Sequence, residues 1–86
     1  MNFRFSDHAE QELKNRQILM SVVLGVLTNP QQKVPEIPGI MCYQSLVEFD
    51  GGKTYLLRAM VNETVDPAVV VTVYRTSKIK KYWRTA

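Results

Sequence analysis

The sequence is poor in the residues that build disulfides and metal sites. It has one cysteine, Cys42, and one histidine, His8. A single thiol excludes an internal disulfide, and one His with one Cys falls short of the three or four ligands of a zinc site. We therefore expect no metal and no cofactor. We interpret Cys42, which lies between Met41 and Tyr43, as a small apolar side chain of the core.

Long apolar runs are also missing. No segment approaches the ~20 apolar residues that a membrane-spanning helix needs, and the first residues lack the apolar core of a secretory signal. We expect a cytosolic, cytoplasmic protein that does not enter a membrane. The chain has 86 residues, of which 45% are hydrophobic and 22% charged. This balance is typical of one folded domain, residues 1–86, whose small core leaves a thin margin of stability.

Acidic residues are absent from the end of the chain. Residues 1–74 carry six Lys or Arg and eight Asp or Glu, whereas residues 75–86 carry five Lys or Arg and no Asp or Glu. The formal charge of +3 is therefore concentrated in the last residues. A local basic patch of this kind attracts RNA, another polyanion or an acidic protein, and the charge alone does not choose among them.

The apolar pattern predicts an α+β domain. The predicted elements are a strand over residues 2–5, a helix from 7 to about 15 that Ser6 caps, a second helix over about 19–28, strands over 32–37, 40–49, 54–61 and 68–74, and a basic C-terminal helix. Strand 68–74 is uncharged and β-branched, so we expect it inside the sheet. Pro35 confines its strand to an edge or a bulge. We expect two helices packed on an antiparallel meander of about four strands.

The second predicted helix is apolar on nearly all sides. Its inward face is formed by Met20, Val23, Val26 and Leu27. Val22 and Leu24 lie largely off this face, where a monomer usually places charges. Two hypotheses have equal weight. Either Val22 and Leu24 form an interface with a second copy or a partner, or the sheet and the first helix cover them.

His8 and Arg58 are the first candidate site residues. His8 is predicted in the first turn of a helix, whose free N–H groups attract anions, so it is a candidate acid/base or phosphate contact. The alternative is a surface or capping histidine. Arg58 interrupts an apolar strand and shares the parity of Leu56 and Met60. It marks a face that the helices leave uncovered, or it pairs with Glu48 across the hairpin.

The basic tail supplies the other candidates. Tyr74 and Arg75 end the central strand, where side chains begin to turn toward solvent. The cations that follow at helical spacing are Lys78, Lys80, Lys81 and Arg84, beside an apolar edge of Ile79, Tyr82 and Trp83. This spacing predicts two basic ridges on a helix. In one interpretation these ridges bind the RNA backbone. In the other, the helix is solvated and its aromatic residues only dock it onto the domain.

Several motifs resemble the domain-of-unknown-function family DUF 4258. They are Phe5-Ser6-Asp7-His8-Ala9, Arg16-Gln17-Ile18, Leu27-Thr28-Asn29-Pro30 and Val71-Thr72-Val73-Tyr74. The family pattern opens with F-S-x-H-A, continues through R-G-I to an L-x-N-P helix end, and closes on a V-T-V-Y-like strand. The chain departs from this pattern at Gln17, where glycine is usual, and at Leu19, where Ser or Thr is usual.

That family is similar, at the level of fold, to the RelE-like RNases of toxin–antitoxin systems, which are barnase-like in architecture and cleave RNA without metal. The resemblance implies a metal-independent endoribonuclease with a small acidic antitoxin as partner. It implies these roles: His8 as acid/base, Arg58 and Arg75 as phosphate stabilisers, Tyr74 as a positioning or proton-transfer group, and Lys78, Lys80, Lys81 and Arg84 as contacts to the RNA backbone. These roles require His8 to lie beside Arg58 and Tyr74. The competing class is a non-catalytic module whose basic tail binds nucleic acid or an acidic partner.

Overall fold

A computed structural model describes residues 2–85. The elements, in chain order, are β1 (Phe3–Phe5), α1 (Asp7–Asn15), α2 (Met20–Thr28), β2 (Gln32–Ile37), β3 (Ile40–Glu48), a short 3-10 turn (Asp50–Gly52), β4 (Thr54–Asn62), β5 (Ala68–Thr76) and α3 (Ile79–Tyr82). The strands form one sheet of order β1-β5-β4-β3-β2. β1 is parallel to β5, and the other pairs are antiparallel. The predicted α+β class is confirmed, and β1 makes the sheet mixed.

α1 begins where the sequence predicts. The Ser6 hydroxyl accepts a hydrogen bond from the Ala9 N–H at 3.0 Å, which satisfies one of the free donors of the first turn. Ala9 and Leu13 are buried, as their spacing indicates. Glu12, on the same side of the helix, is also buried. The apolar stripe is narrow, so a carboxylate is buried beside it. Because it is out of water, the Glu12 carboxylate needs polar partners in the sheet.

α2 begins slightly later than its pattern predicts, and fewer of its residues are buried against the core than expected. Val23, Val26 and Leu27 are buried, but Met20 is 40% exposed, so its assignment to the inward face is wrong. Met20 is the first residue of the helix, where the chain has only begun to approach the sheet. Val22 packs against the core, whereas Leu24 stays exposed. An interface through Val22 and Leu24 therefore stays a hypothesis.

The meander follows the predicted turns. β2 lies at the edge of the sheet, and its register shifts between Pro35 and Ile37. Gly39, after Pro38, has a φ of 86°, a conformation that glycine adopts without strain. β5 lies between β1 and β4, so the uncharged strand is interior as predicted.

The helices cover only one face of the sheet. Leu57, Ala59 and Val61 belong to the core cluster that also contains residues of α1 and α2. Because side chains alternate along a strand, Arg58 and Met60 lie on the opposite face, as parity predicts. The sheet therefore has one face with an apolar core and one face with a polar centre.

The predicted basic C-terminal helix is reduced to a single turn. α3 has four residues, and Trp83 after it is extended, with φ −68° and ψ 127°. Arg84 therefore lies outside the helix, and the predicted ridges of Lys80 with Arg84 and Lys78 with Lys81 do not form. One turn with three cations nearby and no capping side chain is too short to be stable by itself, so tertiary contacts decide the path of the chain. Among residues 2–85, no helix is both long and apolar enough to cross a membrane.

Candidate functional site

A row of polar side chains crosses four strands on the face away from α1 and α2. The register places Gln32 opposite Gln44, Gln44 opposite Arg58, and Arg58 opposite Tyr74. Directly paired residues point to the same face of a sheet, so these four side chains are neighbours. Cross-strand pairing thus assembles the site from residues that are far apart in sequence.

Arg58 is the centre of the row. Its side chain is 3% exposed. Nε donates to Gln44 Oε1 at 2.9 Å, and Nη1 donates to the Tyr74 hydroxyl at 2.6 Å. Nη2 forms a hydrogen-bonded ion pair with the Glu36 carboxylate, whose side chain is 34% exposed. Among residues 2–85 these three acceptors take three of the five N–H donors of the guanidinium.

The charge states in this group follow from burial and pairing. Burial lowers the pKa of Arg58, but the Tyr74 hydrogen bond and the nearby acidic groups outweigh it, so the pKa is raised and the guanidinium stays charged. Burial raises the pKa of Tyr74. The hydrogen bond and charge of Arg58 oppose this effect without overcoming it. The phenol is therefore neutral at ordinary pH and holds a proton that it can donate.

The C-terminal segment lies over this group. The Tyr82 ring centroid is 4.2 Å from Arg58 Cζ, a cation–π contact, and the Tyr74 and Tyr82 rings meet edge to face at 6.5 Å. Gln44 Nε2 donates to the Tyr82 carbonyl at 3.2 Å. Gln32 donates to the Arg84 carbonyl at 2.6 Å and accepts from the Arg84 N–H at 3.1 Å. The segment is therefore docked by both an aromatic ring and its backbone.

The tail cations surround the docked segment. Lys78, Lys80, Lys81 and Arg84 are all exposed. α3 and the residues after it place these side chains at the border of the Arg58 face, since Tyr82 between them contacts Arg58. The predicted basic surface thus exists without the predicted helix.

His8 lies on the other side of the sheet. Its side chain is 71% exposed, and Nε2 is 3.5 Å from Glu12 Oε1. α1 packs through Ala9 on the core that contains Leu57 and Ala59. Arg58, between these two residues on β4, points the opposite way. The expectation that His8 lies beside Arg58 and Tyr74 is therefore wrong, because one layer of sheet separates them.

Arg75 is also separated from Arg58. It pairs with Leu57, which faces the helices. Its Cζ lies 4.4 Å from the Phe49 ring centroid and 4.9 Å from that of Tyr55. The side chains of Arg58 and Arg75 thus lie on opposite faces, and the expectation that both cations stabilise one phosphate is wrong. Side chains of adjacent residues in a strand point to opposite faces of the sheet, so Tyr74 and Arg75 cannot lie on the same face.

Glu12 is the centre of a second polar cluster, beneath α1. Its carboxylate accepts hydrogen bonds from the Thr72 hydroxyl and, at 3.0 Å, from the Val73 N–H. Arg16 Nη2 donates to it at 3.2 Å. Burial raises the pKa of Glu12, but these hydrogen bonds and the charges of His8 and Arg16 outweigh burial and lower the pKa. The cluster fixes α1 to β5.

Sequence reasoning missed Glu36, Gln44 and Gln32. One of the two alternatives for Arg58 was a pair with Glu48 across the hairpin, but Glu48 is opposite Thr54, so that alternative is wrong. Parity along β2 puts Gln32, Val34 and Glu36 on one face, which was the available signal. The strand register was not known from the sequence, so the contact of Glu36 with Arg58 could not be predicted.

Cys42 lies close to the site but is inert. It is fully buried, and its thiol donates to Gln44 Oε1 at 3.7 Å. Burial raises its pKa to about 11, so the thiol stays protonated. Within the described part of the chain, no group of three or more His, Cys, Asp or Glu side chains is placed to hold a metal ion.

The fold and the site define a class: a small α+β domain with a five-stranded mixed sheet, helices on one face, and a buried arginine within a polar row on the other. A family model for a domain of unknown function, DUF4258, matches residues 5–75. The chain belongs to this family, which confirms the resemblance found in its motifs. Comparison with curated proteins and with solved structures found no match in either set.

Proposed function

We propose that the chain is a small metal-independent endoribonuclease whose reacting groups are Glu36, Arg58 and Tyr74. The observation that carries the proposal is the Arg58 guanidinium, which joins a carboxylate and a neutral phenol at one point of the sheet face. A base, a fixed cation and an acid are the three groups that RNA cleavage through the 2′-hydroxyl requires.

The roles follow from the chemistry of each group. The Glu36 carboxylate takes the proton of the ribose 2′-OH, and the 2′-oxygen forms a bond to phosphorus. The positive charge of Arg58 stabilises the phosphorane oxygens, where negative charge develops. The bond from phosphorus to the 5′-oxygen breaks as Tyr74 donates its proton to that oxygen. The products are a 2′,3′-cyclic phosphate and a 5′-hydroxyl. The protonated Glu36 then releases its proton to solvent and the Tyr74 phenolate takes one up, which restores both groups.

The surroundings of the site also support this assignment. Glu36 is the most exposed of the three reacting groups, so substrate would approach from its side. The exposed tail cations lie at the border of the same face and suit the backbone of a single strand. The resemblance to RelE-like RNases that the sequence motifs imply would agree with this proposal, as an argument from fold alone.

The test is cleavage of a labelled oligoribonucleotide by the purified chain in EDTA, with analysis of the new ends. We expect 2′,3′-cyclic phosphate and 5′-hydroxyl ends, and a loss of about 10²–10⁴-fold in rate for Glu36→Gln and for Tyr74→Phe. Glu48→Gln and Tyr55→Phe are matched controls that should keep wild-type rates. No cleavage by the folded wild-type chain, or equal losses in the controls, would overturn the proposal.

A second function is favoured by the near-complete burial of Arg58. A guanidinium with three protein acceptors and a ring over it also serves as a structural ion pair that organises the sheet and docks the tail. In that case the chain is a non-catalytic module that binds RNA, another polyanion or a small acidic protein through the tail. It predicts salt-sensitive binding that Lys80→Ala/Lys81→Ala weakens, with no cleavage at any enzyme concentration.

A further inference from the structure

Gln44 is a buried amide that contacts both parts of the site. It is fully buried in the middle of β3. Its Oε1 atom accepts the hydrogen bond from Arg58 Nε at 2.9 Å. Its Nε2 atom donates to Gln32 Oε1 at 2.8 Å and to the Tyr82 carbonyl at 3.2 Å. The acceptor end therefore holds the cation, and the donor end holds the tail.

Gln32 extends this link to the end of the described chain. Its amide accepts from Gln44 and from the Arg84 N–H, and it donates to the Arg84 carbonyl. Two amides thus connect the backbone of the tail with the Arg58 side chain. The orientation of each amide fixes which of its atoms donates and which accepts in this chain of hydrogen bonds. A flip of either amide would break both ends of the link.

We propose that Gln44 is a positioning residue for this site, a role that rests on the function proposed above. It orients the Arg58 guanidinium toward Glu36 and Tyr74, and at the same time docks the C-terminal segment, so that the tail cations and the reacting group face one RNA strand together. A buried polar group with all its bonds made is suited to this role, since it costs stability when any partner is lost.

Two substitutions separate the two ends of the amide. Gln44→Glu keeps an acceptor for Arg58 but loses the donor to Tyr82 and Gln32. Gln44→Met conserves volume and removes both. We expect Gln44→Glu to raise KM by about tenfold with little change in kcat, because the tail is free but Arg58 remains oriented. Gln44→Met should raise KM similarly and also lower kcat by about tenfold or more.

Two spectroscopic readouts test the same link without activity. Trp83 is the only tryptophan, so its emission reports on the tail. Both variants should shift it toward the emission of the unfolded chain. The Arg58 Nε–H signal in NMR should stay protected from exchange in Gln44→Glu and lose protection in Gln44→Met. Ser45→Ala is the matched control, since Ser45 lies on the same strand and its hydroxyl accepts a partly buried hydrogen bond from the Gln31 N–H.

The outcomes are distinct. If Gln44→Met does not fold, Gln32→Ala replaces it, because Gln32 is only half-buried and its loss undocks the tail without opening the core. The role of Gln44 would be overturned by wild-type Trp83 emission in folded Gln44→Met or in Gln32→Ala. It would also be overturned by unchanged protection of Arg58 Nε–H in Gln44→Met. A wild-type chain that does not cleave RNA would instead overturn the proposed function, and the two spectroscopic results would still decide whether Gln44 links Arg58 to the tail.

Discussion

Arg58 Cζ lies 4.2 Å from the centroid of the Tyr82 ring. This contact joins the centre of the sheet to the C-terminal segment. A cation over a desolvated ring contributes about 0.5–2 kcal/mol. Together with the hydrogen bonds of Gln44 and Gln32 to the same segment, the contact holds the short helical turn in place.

The first prediction concerns this contact. Tyr82→Leu should lower the free energy of unfolding by about 1 kcal/mol, because the cation–π contact is lost. Urea unfolding measures it. In an Arg58→Met background the same substitution should cost much less, since the partner is already gone. An equal cost in both backgrounds would show that Tyr82 contributes by packing alone.

The second prediction concerns Glu12 and pH. The pKa of Glu12 is lowered from its ordinary value of 4.5 in the folded chain. The stabilisation by the charged carboxylate is therefore fully present above this value and is lost as pH falls through the folded pKa. Glu12→Gln should cost about 1–3 kcal/mol at pH 7, and the difference from wild type should shrink in acid.

Urea unfolding at neutral and acidic pH measures this difference. Glu10→Gln is the control, because Glu10 is exposed on the same helix and should change stability little at either pH. A difference for Glu12→Gln that stays constant or grows as pH falls would contradict the role given to its charge.

The third prediction concerns the tail cations. For single-stranded nucleic acid, the logarithm of affinity falls with the logarithm of salt concentration by about 0.7 for each neutralised phosphate. Lys80→Ala/Lys81→Ala should therefore reduce the slope by about 1.4 for a 2′-O-methyl oligoribonucleotide. Fluorescence anisotropy at several salt concentrations measures it.

Lys14→Ala/Lys53→Ala removes the same charge from exposed positions elsewhere and should leave the slope unchanged. If both double variants reduce the slope equally, RNA is attracted by net charge and the tail has no special part in binding.

Local signals in the sequence predicted the elements well, because they depend on neighbouring residues. Ser6 caps α1, and the parity of Arg58 places it away from Leu57 and Ala59. Each of these follows from a period or a cap that one short segment contains. The class of the fold and the face that carries the site could therefore be derived from the sequence.

The partners of Arg58 could not be derived in the same way. Glu36 and Gln44 contact it across strands, and the register that brings them together is not encoded in any one segment. The end of α3 is likewise set by tertiary contacts, since Gln32 takes the backbone groups of Arg84. His8 was assigned to the site by motif, and a motif does not say which face of the sheet its helix covers.

The fourth prediction tests the central claim most directly. Cleavage rates in EDTA are compared for the wild-type chain, Arg58→Lys and His8→Ala. Lysine keeps the charge but cannot present the guanidinium fork, so Arg58→Lys should lose about 10²-fold or more. His8→Ala should stay within about twofold of wild type, because its ring lies across the sheet. A large loss in His8→Ala with near wild-type cleavage by Arg58→Lys would contradict the account.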